Sequence, residues 1–139
     1  MKSFENKIAV VTGGGTGMGR ELVLQLAEAN CNVSMCDVIE ENMDQTIDLA
    51  VSINPNIKIT KHVCDVSIKE QVEEFRDDVL NEQQSDSINL LFNNAGIGGG
   101  QSFIKSDIEE WEKVFAVCWY GVYFCSRAFM EALIKSDEG

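Results

Sequence analysis

The residues best placed to do chemistry are the glycines of Thr12-Gly13-Gly14-Gly15-Thr16-Gly17-Met18-Gly19, which follow the apolar run Ile8-Ala9-Val10-Val11 and precede a helical pattern. Strand, glycine loop and helix in that order make a cradle for the phosphates of a dinucleotide. Gly13 permits the sharp turn off the strand. Gly17 lets a ligand approach the backbone with no Cβ in the way, and Gly19 lets the helix pack close to the strand it has left. The helix aims its free N–H groups and the positive end of its dipole at the anion. Gly15, Thr16 and Met18 complete this candidate cofactor-binding loop. Asp37, eighteen positions beyond Gly19, is where a carboxylate is suited to accept hydrogen bonds from the ribose hydroxyls of adenosine. The same glycines can form an ordinary loop; their place between strand and helix favours the nucleotide site.

Other reactive side chains read as structural. His62, the sole histidine, lies on a predicted strand without a ligand-spaced partner. The five cysteines (31, 36, 64, 118 and 125) are odd in number and lack C-x-x-C spacing, which points to free, mostly buried thiols in a reducing compartment and so to the cytoplasm. The acidic pairs Glu40-Glu41, Glu73-Glu74, Asp77-Asp78 and Glu109-Glu110 suit solvated helix faces, and no metal site is expected. Tyr123 and Arg127 are four apart on an apolar helix, where core packing is the expected role of the tyrosine.

The elements that must position these groups alternate strand and helix without linker or repeat. Strands are predicted at 7–11, 32–36, 57–63 and 88–92. Helices are predicted at 17–29 (Leu22, Leu26 and Ala29 inward), 40–53, from Ser67 to about 82, and 108 to about 134. Pro55 ends the second helix, Ser67 with Glu70 forms a capping box for the third, and Asp107 caps the last. The loop from Gly96 to Gly100 leads into that last helix, whose middle is apolar nearly all round and expects burial against this chain and something else. Four βα units require right-handed crossovers, hence an α/β fold: a Rossmann-like, doubly wound parallel sheet of order 3-2-1-4 with the glycine loop at its switch point. The 139 residues are one domain. A net charge of −12 argues against nucleic-acid and anionic-membrane partners, which need a basic face. The first seven residues lack a signal peptide's apolar stretch.

Two further marks follow strands: Cys64-Asp65-Val66 and Asn93-Asn94-Ala95-Gly96. Together with Thr12-Gly13-x-x-x-Gly17-x-Gly19 they resemble the short-chain dehydrogenase/reductase (SDR) family, from about Lys7 to the last helix. The resemblance implies that Asp65 and Val66 contact the adenine, that Asn93 ties neighbouring strands, and that Ala95 and Gly96 line the cofactor. It also implies an oxidoreductase moving hydride between a nicotinamide cofactor and a small-molecule alcohol or ketone. The family's general acid/base is a tyrosine followed four residues on by a lysine that favours phenolate, with a serine upstream. No Tyr-x-x-x-Lys occurs in this chain. The chain is therefore expected to be the cofactor-binding half of the family fold, incomplete at its C-terminus and inactive alone. Val117-Cys118-Trp119-Tyr120-Gly121 aligns with the family's Val-Asn-x-x-Gly, so Cys118 replaces an asparagine of the proton relay. Burial on the apolar helix makes an inert thiol the expectation. The family also implies a homo-oligomer through the last helix, with Trp111, Phe115, Trp119 and Phe129 as its apolar surface.

Charge argues for NAD over NADP. Asp37 repels a 2′-phosphate, Thr16 is neutral, and Val38-Ile39-Glu40 offers no cation. Arg20, the one nearby base, is expected to face solvent or a carboxylate. A competing expectation is a non-catalytic, stand-alone nucleotide-binding or regulatory module, which would leave strand 4 an open apolar edge. A class I methyltransferase would leave Thr12 and Asn-Asn-Ala-Gly unexplained.

Overall fold

The computed structural model describes residues 3–99, 102, 104, 105 and 107–139. Four parallel strands, β1 (Ile8–Thr12), β2 (Asn32–Asp37), β3 (Ile59–Val63) and β4 (Leu90–Phe92), form one sheet in the order β3-β2-β1-β4. This is the doubly wound order expected from four right-handed βα units. The helices are α1 (Gly17–Glu28), α2 (Glu40–Ile53), α3 (Lys69–Gln83), α4 (Ile108–Phe115) and α5 (Gly121–Lys135).

Alternation along the strands divides the interior into two cores. Ala9, Val11, Val33 and Met35 face α1 and α2, where they meet Val23, Leu26, Ala27, Met43 and Ala50. Val10 and Cys36 face α3 and α5, where Phe75 and Phe129 pack edge to face at 5.5 Å. The inward face of α1 is Gly19, Val23, Leu26 and Ala27; Leu22 and Ala29 are only half-buried. Buried Ser34 is satisfied across the sheet by the Thr60 hydroxyl (2.8 Å) and the Gln83 amide (2.9 Å).

Two expectations change here. Ser67 does not cap α3: its N–H and hydroxyl both bond Asp65 Oδ1, at 2.9 and 2.7 Å, and the helix starts after Ile68 with no side-chain cap. An aspartate two residues upstream offers the serine a local turn that competes with the cap. The long last helix is also not one α-helix. Asp107 caps α4 as expected, accepting from Glu110 N–H at 2.8 Å, but Ala116–Tyr120 widens into a π-helical turn before α5. Gly121 then packs on Val66, where a Cβ would lie 2.7 Å from Val66 Cγ2.

The widened turn leaves Gly121, Cys125, Phe129 and Ala132 buried and the opposite face open. Tyr123 is exposed, not core, as are Trp111 and Trp119, whereas Phe129 is wholly buried and forms no part of that surface. No helix among the described residues is long and apolar enough to cross a membrane.

Candidate functional site

The carboxyl ends of the strands surround a crevice of about 530 Å³ at the point where the strand order reverses. The glycine loop forms one wall. Gly13 turns off β1 at φ +70, and its N–H and that of Gly14 share the Cys36 carbonyl at 2.8 and 3.1 Å. A Cβ on Gly13 would lie 2.9 Å from Ala95 Cα, and one on Gly15 would lie 2.8 Å from Asp37 Oδ2. A Cβ on Gly19 would fall onto the Gly13 carbonyl oxygen. Gly17 differs from these: at φ +55 it faces open space, with nothing within 4 Å of a Cβ. Thr16 and Met18 line the crevice beside it, and Met18 is largely exposed.

Thr16 makes no side-chain cap on α1, and no acid occupies that helix's first turn. By contrast α2, α3 and α4 each begin with their own carboxylates. The free N–H groups of α1 therefore meet the crevice without an internal anion. Asp37 stands on the same side. Its Oδ2 accepts the Gly15 N–H at 3.0 Å and its Oδ1 the Ile39 N–H at 3.2 Å. Asp65 and buried Val66 form the far wall with Ile97 and Val117.

The loop after β4 is held by a knot that the sequence only half discloses. Thr12 Oγ1 accepts the N–H groups of Asn94 and Ala95, both at 3.0 Å. Asn94 Nδ2 donates to the Thr12 and Gly13 carbonyls at 3.0 and 3.2 Å. The tie expected of Asn93 is thus made by Asn94. Asn93 reaches Ser126 Oγ at 3.0 Å, and its buried Oδ1 has no partner. Ala95 and Gly96 line the crevice, while Gly15, Gly17 and Asn93 stand behind or beside its lining. The wall also includes Cys36, Val38, Ile97 and Lys113, outside any linear motif, and Cys64, Asn94 and Val117, whose motifs give them no cofactor contact.

Arg20 is half-buried, and its guanidinium bonds neutral oxygens rather than a carboxylate. Its guanidinium donates to Gly15 O, Asn42 O, Gln45 Oε1 and Thr46 Oγ1. Cys118 likewise departs from expectation: its thiol is exposed and donates to Ile97 O at 3.4 Å, because the π turn carries it out of the helix's inner face. Cys31, Cys36, Cys64 and Cys125 are buried. Burial pushes the Cys125 thiol up to about 12 and that of Cys31 up to about 11. The Cys36 thiol donates to Cys64, which raises Cys36 well above the ordinary range and lowers Cys64.

His62 is a packed residue. Its ring lies 5.0 Å from that of Phe75, with Nε2 3.4 Å from Glu82 and Nδ1 3.9 Å from Asp78. Burial lowers its pKa against the opposing pull of those two carboxylates. Among the described residues no three His, Cys, Asp or Glu side chains are arranged to hold a metal ion.

A doubly wound parallel α/β domain with a glycine loop at its switch point is the class these features define. Residues 7–139 match the family model for short chain dehydrogenases, and the chain belongs to that family. It is 32% identical, over its whole length, to SadH of Mycobacterium tuberculosis, an oxidoreductase by name, and covers 49% of that protein. A short chain dehydrogenase/reductase of Burkholderia phymatum solved with NAD superposes with TM-score 0.87 at 32% identity, over 96% of this chain and 46% of that one. A metagenomic short-chain oxidoreductase solved with NADP gives TM-score 0.88 at 27% identity, over 99% and 61%. The chain spans about half the length of the curated relatives it matches.

Proposed function

We propose that the crevice binds NAD(H) and that this chain supplies the cofactor-binding half of an oxidoreductase moving hydride between that cofactor and an alcohol or ketone. One observation carries this: the uncapped N-terminus of α1 and the open space over Gly17 lie beside the carboxylate of Asp37. A pyrophosphate fits the helix N-terminus and the space over Gly17, and a ribose diol fits the carboxylate. Bound NAD supplies the nicotinamide ring that accepts or donates the hydride.

The chain's own residues bind and orient. The N–H groups at Gly17, Met18 and Gly19 hold the pyrophosphate. Asp37 accepts from the ribose hydroxyls, and Asp65 with Val66 receives the adenine against Val117. Ala95 and Gly96 support the cofactor from the β4 side, and Gly13, Gly15 and Asn93 hold the frame. Solved relatives include both NAD and NADP complexes, so the preference for NAD rests on charge: Asp37 repels a 2′-phosphate, and Val38 and Ile39 supply no counter-cation.

Fluorescence titration with NADH and NADPH tests the site. NADH is expected to bind about tenfold or more tightly than NADPH, and Asp37→Ala to narrow that gap. Tighter NADPH binding refutes the preference, and binding of neither refutes the site. Without a Tyr-x-x-x-Lys in the sequence, these residues alone should not turn over ketone or alcohol. The exposed aromatics Trp111, Trp119, Tyr120 and Tyr123 suit pairing with a second copy, in the cytoplasm. Sedimentation showing a stable monomer would refute the pairing.

A further inference from the structure

We infer that Arg20 is a positioning residue, a clamp that fixes Gly15 and through it Asp37 for the adenosine ribose, rather than a cation that meets phosphate. The inference rests on the NAD(H) reading above. Arg20 Nε and Nη2 both donate to Gly15 O, at 3.0 and 2.6 Å. Nε also donates to Thr46 Oγ1 at 3.0 Å, and Nη2 to Asn42 O at 3.1 Å and Gln45 Oε1 at 3.3 Å. One planar group therefore joins the glycine loop to the first turns of α2.

Thr46, wholly buried, reinforces the seam, since its hydroxyl lies 3.1 and 3.2 Å from the Gly14 and Gly15 carbonyls. The Gly15 residue is held from both sides: its carbonyl by Arg20 and its N–H by Asp37 Oδ2 at 3.0 Å. With Ile39 N–H on Oδ1, the carboxylate is fixed before any diol arrives. Pre-fixing of this kind raises affinity by removing the cost of ordering the group on binding.

The geometry also excludes the plainer role for an arginine beside a phosphate loop. The Nε and Nη2 donors are spent on oxygens of this chain, and Arg20 is not among the residues lining the crevice. Its charge is thereby withheld from a 2′-phosphate as well. A lysine carries the same charge but lacks the planar fork, so it cannot bridge Gly15, Asn42 and Gln45 together. Fork and charge are separable by substitution.

The test measures binding of NADH and of its analogue lacking the adenosine 2′-hydroxyl, to the wild type, Arg20→Lys and Arg20→Gln. Circular dichroism confirms the fold of each. In the wild type the missing hydroxyl should weaken binding about tenfold, as loss of a hydrogen bond to a charged group does. Both variants should bring that ratio to within about threefold of one, and neither should change it further when Asp37 is already alanine. Gln45→Ala, which removes only the outer acceptor, should move the ratio the same way by less and covers the case of a variant that does not fold.

An unchanged ratio in Arg20→Lys overturns the clamp, as does an equal loss for both ligands. So does salt-sensitive loss in Arg20→Gln with wild-type binding in Arg20→Lys, the mark of a charge acting on phosphate. Failure of the wild type to bind NADH overturns the reading beneath it instead.

Discussion

Replacing Gly19 by alanine should be far more damaging than replacing Gly17, although both glycines belong to one loop. At Gly19 the new methyl would land on the Gly13 carbonyl oxygen, 2.6 Å from Asn94 Nδ2 and 2.8 Å from the Gly13 carbonyl carbon. These neighbours are backbone and a committed amide, so little can give. Overpacking of this kind costs about 1–3 kcal/mol. Displacing Asn94 also removes its bonds to the Thr12 and Gly13 carbonyls, at about 1 kcal/mol each. The sum is about 3–5 kcal/mol. With an unfolding entropy of about 2.1 cal/mol/K per residue over 139 residues, that lowers Tm by about 10–17 °C. Gly17→Ala meets nothing within 4 Å and carries only the left-handed backbone cost of about 1–2 kcal/mol, or about 3–7 °C. Its methyl occupies the space assigned to pyrophosphate, so this variant should fold and lose NADH. Thermal unfolding by circular dichroism, with NADH titration of each variant, checks both halves. A Gly19→Ala protein within about 0.5 kcal/mol of wild type refutes the packing argument.

Two other outcomes follow from buried and exposed titratable groups. His62 has its folded pKa lowered below the ordinary 6.5 by burial, so the unfolded chain takes up the proton first. Stability should fall as pH drops below about 6.5 and level off beneath the folded value; urea melts of His62→Gln should lose that dependence, and an unchanged slope in this window refutes the assignment. Of five cysteines only Cys118 is exposed, so Ellman's reagent should titrate one thiol per chain quickly, and Cys118→Ser should abolish that phase. Fast reaction persisting in the variant would place another thiol within reach.

Much of this arrangement was legible because local pattern and global order agree. Apolar runs bounded by glycine and proline mark the strands, alternation of strand with helix makes the sheet parallel, and the doubly wound pattern with the glycine loop at its switch point gives the order β3-β2-β1-β4. Asp37 and the glycines could be placed because their roles depend on sequence position relative to strand ends. What escaped depends on contacts between distant segments. Asn93 and Asn94 are chemically identical in sequence, and only the approach of β4 to β1 decides which one bonds Thr12 and Gly13. Arg20 bonds no carboxylate because the docking of α2 brings the Asn42, Gln45 and Thr46 oxygens to the Gly15 carbonyl, and the guanidinium joins them. The phase of α1 slipped by one residue for a related reason: Gly19 must face β1, and that choice turns Val23 rather than Leu22 inward.

The π turn has the widest consequences of the features invisible to periodicity. A 3.6-residue repeat drawn back from Cys125 and Phe129 puts Cys118 on their buried face, and one widened turn is enough to rotate it outward, whereas Tyr123, two residues from Cys125, lies on the open face of α5 itself. The anchor is Gly121, whose missing side chain is what lets α5 close on Val66 at the crevice wall. Trp111, Phe115 and Trp119 form one stacked column that runs from α4 into the turn, with ring centroids 5.1 and 5.7 Å apart. Val117 and Lys113, one helical turn apart, line the crevice, while Trp111 and Trp119 are exposed to solvent. Crevice wall and aromatic column are thus two faces of one irregular segment, so a change that regularised the turn would disturb both together.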